Sequence, residues 1–348
     1  MPGKRRIEYI DIAKGIGIIL VVAGHLLDKE NELHRFIYAF HMSLFFVLSG
    51  LLLEEDRKSS DFGSIIWKQK KLMRQYFMYS GIFWVFDCII RVIILSELEV
   101  SQLVWDAYKT ITLYGIDVLW FIPTLCVAKI YAHVLLKQLS VVKGSVVSVA
   151  FFLCVVIIGK YLTMETASQS ILRLVLYFPI IAFVRPLGMI CFLFAGHILQ
   201  LIVRKGMCFI CNNSLYKLIS ITVLFSITLF CGKKNNIVDI HFIVFGNPLM
   251  TLVAGVSGSL MIILLSQTLE RIEGIKKLLQ IYGRNSLFIM AIHQYLFVSR
   301  GCGFALKIIG IRNVYFEIVL TCIASVCVAE FANYVKRRIR SKKEVKAG

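Results

Sequence analysis

Lys14 and His25 lie eleven residues apart in one apolar run, "YIDIAKGIGIILVVAGHLLDKE" at 9 to 30, and Asp11 precedes the lysine by three. A neutral imidazole can take the proton of a weak nucleophile as it attacks, and an ammonium can hold an anionic group in place. Eleven helical residues rise about 16 Å and make close to three turns, so both side chains project from nearly one face. An ionisable group inside a membrane span costs about 2.5 to 3.5 kcal/mol on insertion scales, so its presence there points to function. Asp11 is spaced to pair with Lys14 and hold it. His41, in "HRFIYAFHMSLFFVLSGLLL" on the next apolar run, falls near the depth of His25, where one imidazole would be the base and the other its orienting partner. The alternative for His41 is a histidine that only hydrogen-bonds to backbone or Ser within a bundle.

Such residues need membrane helices to position them. The chain has 348 residues, 58% hydrophobic and 17% charged, with a mean hydropathy of +0.77, which excludes an ordinary soluble domain. Ten apolar runs approach the roughly 20 residues that cross a bilayer: 10 to 28, 35 to 53, 72 to 95, 119 to 138, 141 to 160, 186 to 204, 215 to 231, 247 to 268, 281 to 299 and 313 to 335. Residues 171 to 185 are apolar enough to dip into the membrane without crossing it. The expected fold is all-α, a polytopic membrane helix bundle of about ten transmembrane helices in one domain over 1–348, with a basic tail at 336–348. Placing the N-terminus inside puts Lys4, Arg5, Arg6, the run from 57 to 74 and the tail on one side, which then holds more than twice the Lys and Arg of the other. Both termini are therefore expected in the cytoplasm, and the first helix is expected to be retained rather than cleaved as a signal peptide. The net charge of +18 then reports topology and attraction to membrane lipids rather than to nucleic acid.

Other polar residues carry two readings each. Trp120 and Phe121 open the fourth span, where an aromatic belt and a sugar platform use the same side chains. Lys68, Lys70, Lys71 and Arg74 crowd the cytoplasmic entry of the third span, as positive-inside bias or as a phosphate site. Asp87 and Arg91 are spaced as a structural ion pair. His293 and Gln294 sit deep in the ninth span, near an acceptor or the bundle interior. Cys208 and Cys211 form a lone C-x-x-C without a second ligand pair, and His25 with His41 lacks a third ligand, so no metal is expected.

Several stretches together resemble the acyltransferase-3 family of integral membrane O-acyltransferases, which modify bacterial surface glycans, and among them the fucose 4-O-acetylase-like members. Lys14 and His25 match its Arg/Lys-x10-His pattern within "DIAKGIGIILVVAGH"; "FHMSLFFVLSGLLL", "LWFIPTL" at 119 to 125, "GNPLM" at 246 to 250 and "NSLFIMAIHQYLF" at 285 to 297 follow in order. The resemblance implies transfer of an acyl group, usually acetyl and alternatively succinyl, from cytoplasmic acyl-coenzyme A to a sugar hydroxyl at the outer face of the bacterial cytoplasmic membrane. It carries over His25 as the catalytic residue, by direct transfer or through an acyl-histidine. Lys71 and Arg74 resemble the family's Arg-x-x-Arg element with Lys in first place and without the proline that often follows, as "RQYFMY" shows. Lys70, Lys71 and Arg74 would then receive the donor's phosphates, with Trp120, His293 and Asp11 near the substrates. Acetyl-coenzyme A would be a co-substrate, not a bound cofactor. A transporter or flippase for a glycan or glycolipid is the rival reading.

Overall fold

The computed structural model describes residues 7–53, 62–90, 100–204, 213–236, 238–294 and 298–347. Arg91, Cys208 and Cys211 lie outside these residues, as do Lys4, Arg5 and Arg6. Among the described residues every regular element is helical, with one isolated bridge between Asp239 and Val244.

In chain order the helices are α1 (Glu8–Leu26), α2 (Glu32–Tyr38), α3 (His41–Gly50), α4 (Phe62–Ile90), α5 (Val100–Ile111), α6 (Phe121–Gln138), α7 (Val141–Tyr161), α8 (Met164–Ser168), α9 (Ile171–Arg204), α10 (Ser214–Lys234), α11 (Pro248–Leu269), α12 (Glu273–Arg284), α13 (Ser286–Ile292), α14 (Val298–Ile308) and α15 (Val314–Ala347). A 3-10 turn, Asp117–Trp120, leads into α6. Seven segments are long and apolar enough to cross a membrane, at 8–26, 117–138, 141–161, 171–203, 214–234, 248–269 and 314–339. The other three expected spans fall on shorter or mixed elements. Residues 35–53 divide between α2 and α3, because Phe40 leaves helical geometry at φ −146° and ψ −19°. Residues 72–90 continue a helix that begins in the basic segment at Phe62. The ninth span is interrupted at Asn285, at φ −99° and ψ 4°, inside the polar trio Arg284, Asn285 and Ser286.

Residues 171–185 do not dip separately. They form the first half of α9, whose 34 residues run through Pro179 and Pro186. At 1.5 Å per residue α9 measures about 51 Å, well beyond a hydrocarbon core of about 30 Å. Between α4 and α6, α5 is a short helix that buries Leu103 and Asp106 and exposes Val100, Val104 and Ile111.

The helices gather into two compact units, residues 29–265 and residues 1–28 with 266–348. In the larger unit α9 packs on α3, α6 and α7, α10 on α2, and α4 on α5 and α6. In the smaller unit α1 lies along α12 and also touches α13 and α15, while α14 folds back on α15. In both units helices cross where backbones meet directly. A Cβ at Gly50 would strike the carbonyl of Leu193 and one at Gly196 that of Val47; in the smaller unit, a Cβ at Gly15 would strike Leu279 and one at Gly283 the carbonyl of Asp11. Paired glycines of this kind let membrane helices gain dispersion contacts that bulkier side chains would prevent.

Candidate functional site

Asp11 and Lys14 stand on α1 where it crosses α12. Asp11 is buried, and Arg284 Nε lies 4.0 Å from its carboxylate. One turn earlier Lys276 bonds Glu8 at 3.1 Å and Glu273 at 2.7 Å, tying the start of α1 to α12. These exposed contacts hold Glu273 below the usual carboxylate range and Lys276 above its own, chiefly through the hydrogen bond between them. Lys14 is half-buried, and His25, in the last turn of α1, is exposed.

The partner of His25 comes from the far end of the sequence. Asn285 Nδ2 donates to Glu330 Oε1 at 2.6 Å and to the Ile281 carbonyl at 2.9 Å, while Asn333 Nδ2 donates to Asn285 Oδ1 at 2.8 Å. This clamp fixes the start of α13 against α15. His293 follows α13 and is buried, its Nδ1 2.9 Å from the Met290 carbonyl and 3.2 Å from that of Ile289. Both neighbours only accept, so Nδ1 carries the proton and Nε2 is an acceptor. No hydrogen-bond partner for His293 Nε2 is present among the described residues. The ring of His293 lies 5.2 Å from that of His25, tilted by 48°. A neutral imidazole of fixed tautomer against an exposed one is a suitable arrangement for orienting a general base.

Within the smaller unit the structure sets His25 beside His293. His41 is buried in the larger unit, donating from Nδ1 to the Ile37 carbonyl at 2.9 Å, with its ring 4.8 Å from that of Tyr38. Lys70, Lys71 and Arg74 occupy exposed positions of α4, and Lys71 and Arg74 share a helix face.

Trp120 is 8% exposed and belongs to a group that local sequence reasoning missed. Arg185, fully buried in α9, holds its guanidinium 4.9 Å from the Trp120 ring and 5.2 Å from that of Tyr114, and donates from Nη2 to the Tyr114 carbonyl at 3.0 Å. His241 stacks on Trp120 at 5.6 Å with the planes 3° apart, and Tyr177 stands 6.0 Å from Tyr114. Asp239 accepts from the His241 backbone N–H at 3.0 Å. Burial raises the Asp239 carboxyl above its usual range, against the pull of the Phe242 and His241 backbone N–H groups and the charges of Lys29 and Arg185. Burial likewise raises the Tyr114 phenol, helped by Tyr177 and opposed by Arg185. The signal available in sequence was one arginine inside an apolar run, "IIAFVRPLGM".

The long apolar helices define a multi-pass membrane protein. The family profile described as "Acyltransferase domain", that of acyltransferase-3, matches residues 7–330, nearly the whole chain. The chain belongs to the acyltransferase-3 family and is an acyltransferase. The match is to the family as a whole, without distinguishing the fucose 4-O-acetylase-like members. No match was found among curated proteins or solved structures.

Proposed function

We propose that the protein is an O-acyltransferase of the bacterial cytoplasmic membrane, moving an acyl group, acetyl first among the candidates, from acyl-coenzyme A to a hydroxyl of a cell-surface or exported polysaccharide. The observation that carries this reading is the exposed His25 imidazole against the buried, tautomer-fixed His293. His25 takes the proton of the acceptor hydroxyl as its oxygen attacks the thioester carbonyl; the carbon–sulfur bond then breaks, and the departing thiolate recovers that proton from the imidazolium. His293 is a positioning residue in this scheme. Lys14, three turns below on the same helix face, guides the donor along that face rather than touching the reacting thioester. Lys70, Lys71 and Arg74 receive its phosphates, as point charges apart from the planar fork of Arg74.

The test uses purified protein in liposomes with labelled acetyl-coenzyme A, measuring loss of thioester and transfer of label to added glycan. His25→Ala in correctly inserted protein is expected to lower turnover by about 10²- to 10⁴-fold, the usual contribution of a positioned acid–base group. Full turnover by that variant would remove His25 from the chemistry. Folded wild type that cleaves no short-chain acyl thioester would favour glycan transport instead.

A further inference from the structure

The reaction scheme leaves Arg185 without a task. Its Nε and Nη1 are buried and have no hydrogen-bond partner among the described residues. Asp239 contributes its field at longer range, without a direct ion pair. A buried cation with only Nη2 hydrogen-bonded and two donor atoms unmet is costly, and the chemistry that best relieves the cost is an anion. The backbone around it is also strained. Leu113, Asp117 and Ile243 have positive φ, at 62°, 44° and 53°, and among the described residues these three are all the non-glycine residues that do. They sit on the two loops that supply Tyr114, Trp120 and His241. Left-handed backbone at a β-branched residue such as Ile243 is a rare conformation, and such residues collect at ligand-binding sites.

We propose that this cage, at the end of the larger unit that the Lys and Arg distribution assigns to the outer face, is a binding site for an anionic group on a sugar, with Arg185 receiving its carboxylate or phosphate. Trp120 and Tyr114 frame the guanidinium with aromatic rings of the kind that pack beside sugars, with His241 covering the Trp120 ring, and the guanidinium is the side chain best matched to planar oxyanions. Trp120, Tyr114 and Tyr177 are buried whereas His241, like Asp117 and Asp239 on the same two loops, is partly exposed, which makes His241 a side chain at the rim of the cage that a reagent can report on. The acyl-transfer reading enters only in making this sugar the acceptor; the acceptor glycan would then be acidic.

The test is direct binding to purified full-length protein, by calorimetry, of methyl β-glucuronide, glucose 1-phosphate and methyl β-glucoside. One or both anionic probes are expected to bind about tenfold or more tightly than the neutral glycoside, a ratio that separates carboxylate from phosphate as the source. Arg185→Gln is expected to abolish that preference, and Arg185→Lys to restore part of it. Because loss of Arg185 can also unsettle the fold, a second measurement leaves it in place. In a His241→Cys variant, an anionic probe should protect the new thiol from a membrane-impermeant maleimide, relative to the labelling of wild type. Equal binding and equal protection by the neutral glycoside, or no protection by any probe, would overturn the site and leave Arg185 a structural residue. Anion binding through Arg185 without acyl transfer would sustain the site and refute the acyltransfer scheme; acyl transfer indifferent to acceptor charge would sustain that scheme and refute the acidic acceptor.

Discussion

Replacing Gly283 by alanine tests whether the seating of α1 on α12 sets the chemistry. The added Cβ falls on the carbonyl of Asp11, a backbone group that no rotamer change can move aside. Carbon and oxygen rest no closer than about 3.3 Å, so α1 must retreat by about 1 Å or more. Overpacking of this kind costs about 1 to 3 kcal/mol. The larger effect is geometric, since Asp11 lies near the start of α1 and His25 in its last turn, and tilting the helix about the crossing displaces the 5.2 Å contact with His293. A misplacement of about 1 Å at reacting groups costs about a hundredfold in rate. Gly283→Ala is thus expected to lower the thermal midpoint in detergent and to reduce acyl transfer by about tenfold to a hundredfold in the liposome assay. Gly274→Ala is the control, because it lies on the same helix with nothing within 4 Å of its Cβ, and should behave as wild type. Wild-type turnover and an unchanged midpoint for Gly283→Ala would refute the claim that this crossing positions the site.

Asn285→Ala removes a donor to Glu330 and an acceptor for Asn333; it should cost about 1 to 3 kcal/mol in thermal unfolding and lower turnover through His293, and an unchanged protein would show that α13 is held by packing alone. Asp239 gives a pH prediction. Its folded-state acidity is weakened, chiefly by burial, so its contribution is most favourable below the unfolded carboxylate value of about 4 and is lost as pH rises through the higher folded value. Asp239→Asn keeps an oxygen for the His241 N–H and should flatten this fall in thermal midpoint between the two values; identical profiles for variant and wild type would sink the assignment.

Much of the membrane architecture was legible because the bilayer penalises every exception. Lys14 and His25 stood out against an apolar run, and the family motifs around them extend over most of the chain. The break at Asn285 was harder to see, because a polar trio at the start of an apolar segment reads equally well as the edge of a span. The continuous α9 was misread at Arg185 and Pro186. Proline usually punctuates a helix, yet within a packed bundle it only forfeits one backbone hydrogen bond and can be carried through.

What the sequence by itself determined is the chemistry along single helices: which segments are apolar, and that Lys14 and His25 share a face, since helical periodicity and the cost of charge in lipid both act locally. Only the tertiary structure decided the companions of those residues. His293 reaches His25 because reciprocal glycines bring α1 onto α12 and the Asn285 clamp sets α13, and Arg185 meets Trp120 and Tyr114 because α9 runs beneath two strained loops. Such contacts join residues nearly a whole chain or some seventy positions apart, and no local pattern records them.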